Sequence, residues 1–455
     1  MPTGSDWVNG LENRRPAQAA VKWEDGMEHG NNGPEINRRR ALQLAGASAL
    51  ASVAPFATAR AGLRPIKVGL VTPTTGPLAP MGEADDYVLN IVRQALKEGI
   101  ANPGGKYPVE IIVKDSQSNP NRAAEVAGEL ILQNNIDLMI VGATPENSNP
   151  VCDQCELNGV PCISTTTPWQ PWFFGRGGDP TKGFDWTYHY FWGIEDIIET
   201  FTSIWNQVPT NKKVGLFLAN DGDGNAWGDP KIGIPPVLTK MGFEIFDPGR
   251  FQPLQQDFSA HVSAYKKAGV EIVCGVPIPP DFKNFWTQAR QQGFHPKVVT
   301  MGKAYSFPSV MDAMGDIGVG LSQELWWTPA NPFKSSLNGV TSADLAKNYE
   351  VATGRQWNGA VGFVHSMFEV AADVIKRAKD PTDKASLRDA IIATELDTTV
   401  GHISWKKGPV KNVCKTPLVA GQWVKGEKHK YDLIVVADTE AAEIPVARKA
   451  IEIPY

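Results

Sequence analysis

The chain has 455 residues, of which 42% are hydrophobic and 20% are charged, and its formal net charge is −5. This composition is typical of a folded globular protein, and the length favours two lobes over a single hydrophobic core. The negative charge and the lack of a basic stripe in the sequence argue against nucleic acid as a partner.

Residues 1–61 have the pattern of a disordered N-terminus followed by an export signal. Arg39 and Arg40 precede an uncharged, alanine-rich stretch that ends in an A-x-A cleavage pattern at Ala59 or Ala61. This arrangement resembles a twin-arginine signal. It predicts an exported protein, periplasmic or otherwise extracytoplasmic, and the rest of the sequence contains no apolar run long enough to span a membrane.

The folded part begins with a strand, a loop and a helix. Residues 66–71 are an apolar run with β-branched residues, which predicts a buried parallel strand. Residues 72–80 are rich in Pro, Gly and Thr, and a helical pattern begins at Gly82. Residues 212–218 repeat the Lys-Val-Gly-Leu core of the strand, so the chain begins the same unit twice. In such α/β units ligands bind beyond the carboxyl ends of the strands.

Strands and helices alternate after both of these starts. Further strands are predicted at residues 109–114, 138–141, 160–164, 213–218, 243–246, 272–276 and 297–300, and short β segments at 401–405, 417–424 and 430–436. Helices are predicted between them, and after residue 345. Alternation of this kind indicates parallel sheets with right-handed crossovers. The fold class is therefore predicted to be α/β with two lobes.

Two stretches do not fit this alternation. Residues 168–192 are rich in aromatic side chains and are expected to form either a packed loop or the wall of an apolar pocket. After the strand at 213–218, residues 221–225 (Asp-Gly-Asp-Gly-Asn) fit the first ligands of a calcium loop but lack its later ones, which leaves a solvated, glycine-rich turn as the main interpretation.

The sequence offers no set of catalytic or metal-binding residues. It contains no nucleophile-elbow, zincin or phosphate-loop motif, and its seven histidines are scattered. The five cysteines are expected to be buried free thiols, with a local disulfide among the first three as the alternative: Cys152, Cys155, Cys162, Cys274 and Cys414. No cofactor and no metal are predicted, and an exported two-lobed α/β protein without a catalytic set is most simply a binding protein.

Several motifs, in order, resemble the leucine/isoleucine/valine-binding protein family, the solute-binding proteins of ABC importers. They are the loop at residues 68–82 (Val-Gly-Leu-Val-Thr-Pro-Thr-Thr-Gly-Pro-Leu-Ala-Pro-Met-Gly), the passage 145–164, the pair Trp227-Gly228, and the segments 399–405 and 421–423. The resemblance implies two Rossmann-like lobes joined by three crossovers, with a ligand cleft between them. It also implies a membrane permease as partner, and we expect a monomer. The lobes are expected at residues 62–191 plus 326–416 and at 192–325 plus 417–455.

The resemblance also gives the expected site, on the loops that follow the strands of both lobes. The expected ligand-binding residues are Met81, Asn147, Ser148, Thr165, Thr166, Trp169, Trp186, Tyr188, Trp227, Pro277, Lys303 and Tyr305. Of these, Trp169, Trp186, Tyr188 and Trp227 are candidates for apolar walls.

The charge of the ligand is predicted from four of these residues. Ser148 stands at the start of a predicted helix, and Thr165 and Thr166 follow the neighbouring strand, so the three could bind a carboxylate; helix capping is the alternative role for Ser148. Lys303 stands where the resemblance implies a carboxylate for an α-ammonium group. A hydrophobic or aromatic carboxylate is therefore the favoured ligand, with a branched-chain amino acid or amide, or a sensor function, as the alternatives.

Overall fold

The computed structural model of the protein describes residues 63–439 and 441–455. The predicted export signal lies outside these residues. No helix in the described part is both long enough and apolar enough to cross a membrane.

The first lobe starts with alternating strands and helices, interrupted by one hairpin. They are β1 (Ile66–Thr72), α1 (Asp85–Leu96), the hairpin β2 (Ile100–Asn102) and β3 (Gly105–Tyr107), β4 (Val109–Asp115), α2 (Pro120–Leu132), β5 (Leu138–Val141), α3 (Pro145–Asn158), β6 (Cys162–Thr165), α4 (Trp169–Phe173) and β7 (Thr187–Tyr190). Single 3-10 turns occupy Ala79–Gly82 and Phe174–Arg176.

The second lobe follows with the same alternation. Its elements are α5 (Ile194–Trp205), β8 (Lys213–Phe217), α6 (Gly222–Trp227), α7 (Ile234–Lys240), β9 (Glu244–Phe246), α8 (Ser259–Ala268), β10 (Ile272–Gly275), α9 (Pro279–Gln291), β11 (Val298–Met301), α10 (Pro308–Met314), a 3-10 turn at Gly315–Gly318 and β12 (Ser322–Leu325).

The chain then returns to the first lobe and crosses once more to the second. The returning part comprises α11 (Ser342–Thr353), α12 (Gly359–Arg377), α13 (Lys384–Ile392), β13 (Leu396–Thr398), β14 (Gly401–Ile403) and β15 (Val413–Cys414). The last two strands, β16 (Val419–Lys425) and β17 (Tyr431–Ala437), belong to the second lobe.

Each lobe is built on one sheet. The first has the strand order β15-β7-β6-β5-β1-β4 with every pair parallel, and the second has the order β17-β16-β12-β11-β10-β8-β9. In the second sheet β16 pairs antiparallel with both β12 and β17. The chain passes between the sheets near residues 191–193, 326–328 and 415–418, so the predicted α/β fold with three crossovers is confirmed, with the correction that the second sheet is mixed.

Helices cover both faces of the first sheet. All four residues of β5 are buried and apolar, as expected for a central strand covered on both faces. Side chains of α1, α11 and α12 pack into the core on one face, and those of α2 and α3 into a separate core on the other. Helix α3 begins with Pro145 and ends at Gly159, whose φ of 62° is readily adopted only by glycine.

Helix α3 begins at Pro145, a first helical position that suits proline, and continues through Pro150 in its interior. Two local predictions need correction. The aromatic stretch contains a sheet strand, β7, and the glycine-rich turn contains the short helix α6. The five cysteines are buried and free, as predicted.

Candidate functional site

The carboxyl ends of the parallel strands in the two sheets meet in a cleft between the lobes. Glu146, at the start of α3 in the first lobe, accepts a hydrogen bond at 2.7 Å from the backbone N–H of Gly222, at the start of α6 in the second. Beside this contact lies a groove of about 460 Å³ that both lobes line. Its walls include Pro145, Gln170 and Phe174 from the first lobe and Asn225, Ala226 and Ile232 from the second.

Neutral hydroxyl groups fix the cleft surface of the first lobe. The hydroxyl of Thr166 accepts a hydrogen bond from the N–H of Ala143 at 2.6 Å, and the hydroxyl of Thr167 donates to the Ala143 carbonyl at 2.7 Å. Thr166 has a φ of 58°, which is strained for a β-branched residue and is found mainly where a site requires it. These bonds hold the loops after β5 and β6 together at the cleft.

The predicted carboxylate clamp is only partly available. Ser148 and Thr165 are completely buried; the Thr165 hydroxyl donates to the Tyr190 carbonyl at 2.6 Å, and the Ser148 hydroxyl lies 3.4 Å from that of Thr167. The Ser148 N–H is bonded to the Thr144 carbonyl. The Thr165 hydroxyl and the Ser148 N–H are thus engaged inside the lobe, and ligand contact at either residue stays a prediction.

Two polar groups at the start of α3 have no hydrogen-bond partner in the described part of the chain. The hydroxyl of Thr144 and Oδ1 of Asn147 are buried and have no hydrogen-bond partner among the described residues. Met81 and Thr166 line a small cavity of about 20 Å³ together with Asp85 and Trp326. The predicted positions Met81 and Thr166 thus line this cavity, whereas Asn147 is buried at the start of α3.

Asp85 is the one ionisable side chain in that small cavity. Its Oδ2 accepts a hydrogen bond from the Thr72 hydroxyl at 2.6 Å, and its Oδ1 has no partner among the described residues. Burial raises the pKa of Asp85 to about 7. The carboxyl therefore changes charge near neutral pH.

Charged groups organise the cleft surface of the second lobe. The Lys303 ammonium lies 2.5 Å from Oδ2 of Asp223 and 3.7 Å from Oδ2 of Asp221, and its side chain is only 7% exposed. Burial disfavours the ammonium, but Asp223, Asp221 and Glu146 more than offset this and raise the pKa of Lys303. Lys303 is therefore not a free cation, although the prediction of a carboxylate ligand depended on one.

Acidic groups outnumber Lys303 in this region. Glu324, the third residue of β12, accepts hydrogen bonds from the Lys303 N–H at 2.9 Å and from the Trp326 indole at 3.1 Å. Its Oε2 and Oδ1 of Asp223 are buried without partners among the described residues. Burial raises the pKa of Glu324 and of Asp223 to about 7. Around Lys303 the second lobe thus holds more buried acidic groups than cations.

Two predicted wall residues lie outside the cleft. The Trp186 carbonyl accepts a hydrogen bond from the N–H of Cys162, the first residue of β6, so Trp186 lies at the amino end of the sheet, opposite to the cleft. The Tyr188 ring meets Trp405 edge-on and lines a separate pocket of about 410 Å³ with Arg388. Residues 187–190 form a strand and not a loop, and neither Trp186 nor Tyr188 lines the groove; ligand contact at either residue stays a prediction.

Two further predicted residues are part of the second lobe's core. Trp227 is completely buried, its ring lies 5.8 Å from that of Phe201, and a Cβ at Gly302 would lie only 2.8 Å from it. The Tyr305 hydroxyl donates to the Ser322 carbonyl at 2.6 Å and lies 3.0 Å from the Met301 nitrogen, whose N–H it accepts. Both rings pack inside the second lobe, and ligand contact at either residue stays a prediction.

Trp169 and Pro277 stay closer to the predicted role. The Trp169 indole donates to Glu195 at 3.0 Å, and the backbone N–H of Trp169 donates to the Trp192 carbonyl. Trp169 therefore fixes the first crossover next to the groove. Pro277 is buried two residues after the end of β10. Their contact with a ligand remains a prediction.

The sequence interpretation missed the acidic residues of the site. Asp221 and Asp223 were assigned to a solvated turn, yet Asp221 caps α6 by accepting the Gly224 N–H and Asp223 is buried. The available signal was the position of these residues directly after a predicted strand. The groups that could hold a metal ion were searched for among the described residues, and no suitable cluster of three ligands is present there.

Comparison with known proteins agrees with this architecture. The model of the periplasmic binding protein family matches residues 65–428. The chain belongs to the periplasmic binding protein family. The family prediction made from the sequence motifs is thereby confirmed.

Solved structures give the same fold at low sequence identity. A leucine-binding protein of Thermotoga maritima has 18% identity and a TM-score of 0.66, over 82% of this chain and 99% of its own. A branched-chain amino acid transporter substrate-binding protein of Streptococcus pneumoniae, in complex with isoleucine, has 17% identity and a TM-score of 0.64, over 82% and 99%. An ABC transporter solute-binding protein of Rhodopseudomonas palustris, in complex with 3,4-dihydroxybenzoic acid, has 18% identity and a TM-score of 0.67, over 86% and 98%.

Proposed function

We propose that this periplasmic binding protein captures a small organic solute between its two lobes and delivers it to an ABC permease. The observation that carries the proposal is the cross-lobe contact of Glu146 with Gly222 beside a groove lined by both lobes. Binding proteins of this design close around the ligand by a hinge motion, and the crossovers serve as the hinge. The role is non-catalytic, and no chemical step is assigned to it.

The chemistry of the two cleft surfaces supports a ligand with a donor group at one end and an acceptor group at the other. In the first lobe the unpartnered Thr144 hydroxyl can donate a hydrogen bond to a carboxylate. In the second lobe the unpartnered oxygens of Asp223 and Glu324 can accept from an ammonium group. A small α-amino acid matches both, and it is our leading candidate.

This choice reverses the preference drawn from the sequence. That preference depended on Lys303 as a free positive charge, and the ion pair with Asp223 removes this support. A hydrophobic or aromatic carboxylate without an ammonium group is the second candidate, because Phe174 and Ile232 expose apolar surface at the groove. A solved structure with the same fold holds 3,4-dihydroxybenzoic acid, and another holds isoleucine, so both ligand classes occur on this fold.

Matched ligand pairs distinguish the two candidates. Titration calorimetry would compare L-leucine with 4-methylpentanoic acid and L-phenylalanine with 3-phenylpropanoic acid. We expect the amino acid of each pair to bind at least about tenfold more tightly, since burying unpaired carboxylates against a ligand without an ammonium group is costly. Tighter binding of either acid than of its amino acid would favour the carboxylate candidate.

The remaining parts of the sequence prediction belong to this proposal. We propose export through the twin-arginine route, function in the periplasm or an equivalent compartment as a monomer, and lobe boundaries at residues 62–191 plus 326–416 and 192–325 plus 417–455. Replacing Arg39 and Arg40 together by lysine should leave the precursor in the cytoplasm. Normal export of that variant would contradict the twin-arginine route and leave the solute-binding proposal intact.

A further inference from the structure

A second pocket lies at the amino end of the first sheet, on the side away from the cleft. Its volume is about 410 Å³, within the range of small-molecule sites. Its walls include Phe184 before β7, Tyr188 within β7, Arg388 and Ile392 of α13, and Trp405. The cleft lies at the carboxyl ends of the same parallel strands, so the two cavities are at opposite ends of the sheet. We call this second cavity the amino-end pocket.

The amino-end pocket contains a tyrosine whose hydroxyl group is unpaired. Tyr188 is only 5% exposed, yet its hydroxyl forms no hydrogen bond with any described residue. A buried tyrosine hydroxyl ordinarily has a partner, because burial without one costs free energy. Burial also raises the pKa of Tyr188 to about 12, so the hydroxyl remains a donor at neutral pH. This unpaired donor in the wall of a pocket indicates an acceptor group on a ligand.

The aromatic walls of the pocket are fixed by hydrogen bonds. The Trp405 indole donates to the His189 carbonyl at 2.9 Å, and the Trp405 ring meets the Tyr188 ring edge-on at 5.7 Å. The side chain of Asn412 accepts a hydrogen bond from the N–H of Phe184 and donates to the Phe184 carbonyl, both at 2.9 Å. Walls that are held in this way lose little conformational freedom when a ligand packs against them.

The charged residues that line the pocket are mostly positive. They are the cations Lys182, Arg388 and Lys411 and one acid, Asp185. Nε and Nη2 of Arg388 donate to Oδ1 of Asp389 at 3.2 and 2.9 Å, and Nη1 has no hydrogen-bond partner among the described residues. Arg388 also lies close enough to Tyr188 to lower the pKa of its hydroxyl, against the larger effect of burial. One anionic group can therefore interact with both side chains.

We propose that the amino-end pocket is a second ligand-binding site, and that it binds a small carboxylate with an aromatic body. The Tyr188 hydroxyl donates to a carboxylate oxygen, Arg388 supplies the opposite charge, and the aromatic body packs against Trp405 and Ile392. This site does not depend on solute capture in the cleft, because the residues that line it all belong to the first lobe and none of them lines the groove between the lobes.

Titration calorimetry with sodium benzoate and with benzamide tests the charge of the ligand. Benzamide has the same ring as benzoate but carries no charge. We expect the wild-type protein to bind benzoate at least about tenfold more tightly than benzamide, because hydrogen bonds to a charged acceptor are the stronger ones. Failure of benzoate to bind, or equal binding of the two compounds, would overturn the proposal.

Three substitutions test whether benzoate binds in this pocket. Tyr188→Phe removes only the unpaired hydroxyl, so it should unfold at the wild-type urea concentration and bind benzoate about tenfold more weakly. Arg388→Gln should weaken benzoate binding about twofold to fivefold, the range of a partly exposed ion pair. Ile392→Glu, at an exposed position four residues after Arg388 on α13, places a carboxylate next to the arginine and should abolish benzoate binding.

Lys384→Gln provides a matched control. Lys384 lies one turn before Arg388 on α13 and lines a different pocket, so this variant removes the same charge from the same helix and should bind benzoate as the wild type does. If benzoate binds in the cleft instead, Tyr188→Phe, Arg388→Gln and Ile392→Glu should all bind it with wild-type affinity. That result would overturn the second site and leave the proposed capture of a solute in the cleft intact.

Discussion

The cleft surfaces of the two lobes are held in shape by different forces. In the first lobe, hydroxyls of Thr166 and Thr167 bond to the backbone of Ala143. In the second lobe, the corresponding position is organised by Lys303 between Asp221 and Asp223. Neutral hydrogen bonds cost little to bury, whereas buried charges are tolerated only when paired.

Because of this difference, we expect substitutions on the two cleft surfaces to have different effects. Changes on the first lobe's surface should act mainly on ligand contact, because no buried charge is left unpaired. Changes on the second lobe's surface should act on folding as well as on binding, and they should depend on pH. Four predictions follow from this contrast, in order of decreasing effect.

The largest effect is expected at the support beneath the second lobe's surface. Trp227→Ala removes a completely buried indole between Phe201 and Gly302, and we expect the free energy of unfolding to fall by about 3–5 kcal/mol. Urea unfolding followed by circular dichroism measures it. Trp186→Ala, which removes a partly exposed ring with Arg388 above it, is the control and should cost far less.

The same variant also tests the original assignment of Trp227 to the ligand. The folded fraction of Trp227→Ala should bind L-leucine with nearly normal affinity. If the variant instead keeps its stability and loses binding, Trp227 contacts the ligand and does not serve the core of the second lobe.

The next largest effect is expected from the buried ion pair. Lys303→Met leaves Asp221 and Asp223 without their cation, and the free energy of unfolding at pH 8 should fall by about 3 kcal/mol. The loss should be smaller at pH 5, because without the ammonium group burial and the neighbouring Asp221 raise the pKa of Asp223, and protonation then removes the unpaired charge. Unfolding in urea at both pH values measures the difference.

Two further variants complete this experiment. Lys303→Met combined with Asp223→Asn should recover part of the stability at pH 8, and Lys231→Met, at an exposed lysine, should change nothing. A stable Lys303→Met protein that no longer binds the carboxylic acids would mean that Lys303 serves the ligand and not the lobe.

The architecture could be predicted from the sequence because its signals are local and repeated. Apolar β-branched runs such as residues 66–71 mark buried strands, and the repeat at 212–218 marks the second lobe. The strand Thr187–Tyr190 escaped prediction because its aromatic residues and flanking glycines are typical of a loop, and only its neighbours β6 and β15 make it a strand.

The sequence indicates which loops form the candidate site, but it does not indicate which of their side chains reach the cleft. The loops after β1, β5 and β6 follow the carboxyl ends of parallel strands, as the sequence indicated. Which side chain reaches the cleft depends on partners distant in the sequence. Lys303 is neutralised by Asp223, which lies 80 residues away, and Glu146 meets Gly222 across 76 residues. No local pattern records such pairs.

A moderate effect is expected at Asp85, a buried carboxyl in the first lobe, whose cleft surface is otherwise held by neutral hydrogen bonds. Burial raises its pKa from 3.8 to about 7, so the folded state binds the proton more tightly than the unfolded state. The stability that this proton contributes is complete below pH 3.8 and is lost as pH rises through 7. Between pH 5.5 and pH 8 the loss amounts to about 2 kcal/mol.

Asp85→Asn should remove that part of the pH dependence. Urea unfolding at pH 5.5 and pH 8 should show a difference smaller than the wild-type one by about 2 kcal/mol. Asp86→Asn, at the exposed neighbouring position, should leave the wild-type difference unchanged. Equal pH dependence in Asp85→Asn and the wild type would show that this carboxyl is hydrated in solution.

The smallest effect is expected at Glu146, the acidic side chain by which the first lobe reaches the charged surface of the second. Glu146→Ala removes the hydrogen bond to Gly222, which should favour the open form by about 1 kcal/mol and weaken L-leucine binding about fivefold. Glu146→Gln keeps an acceptor at the same place and should lie between the two. Both variants should unfold at the wild-type urea concentration, because the contact joins two lobes that are each folded without it. Calorimetry decides the sign: tighter binding by Glu146→Ala would mean that the Glu146 carboxylate competes with the carboxylate of the solute, and the contact would then oppose capture.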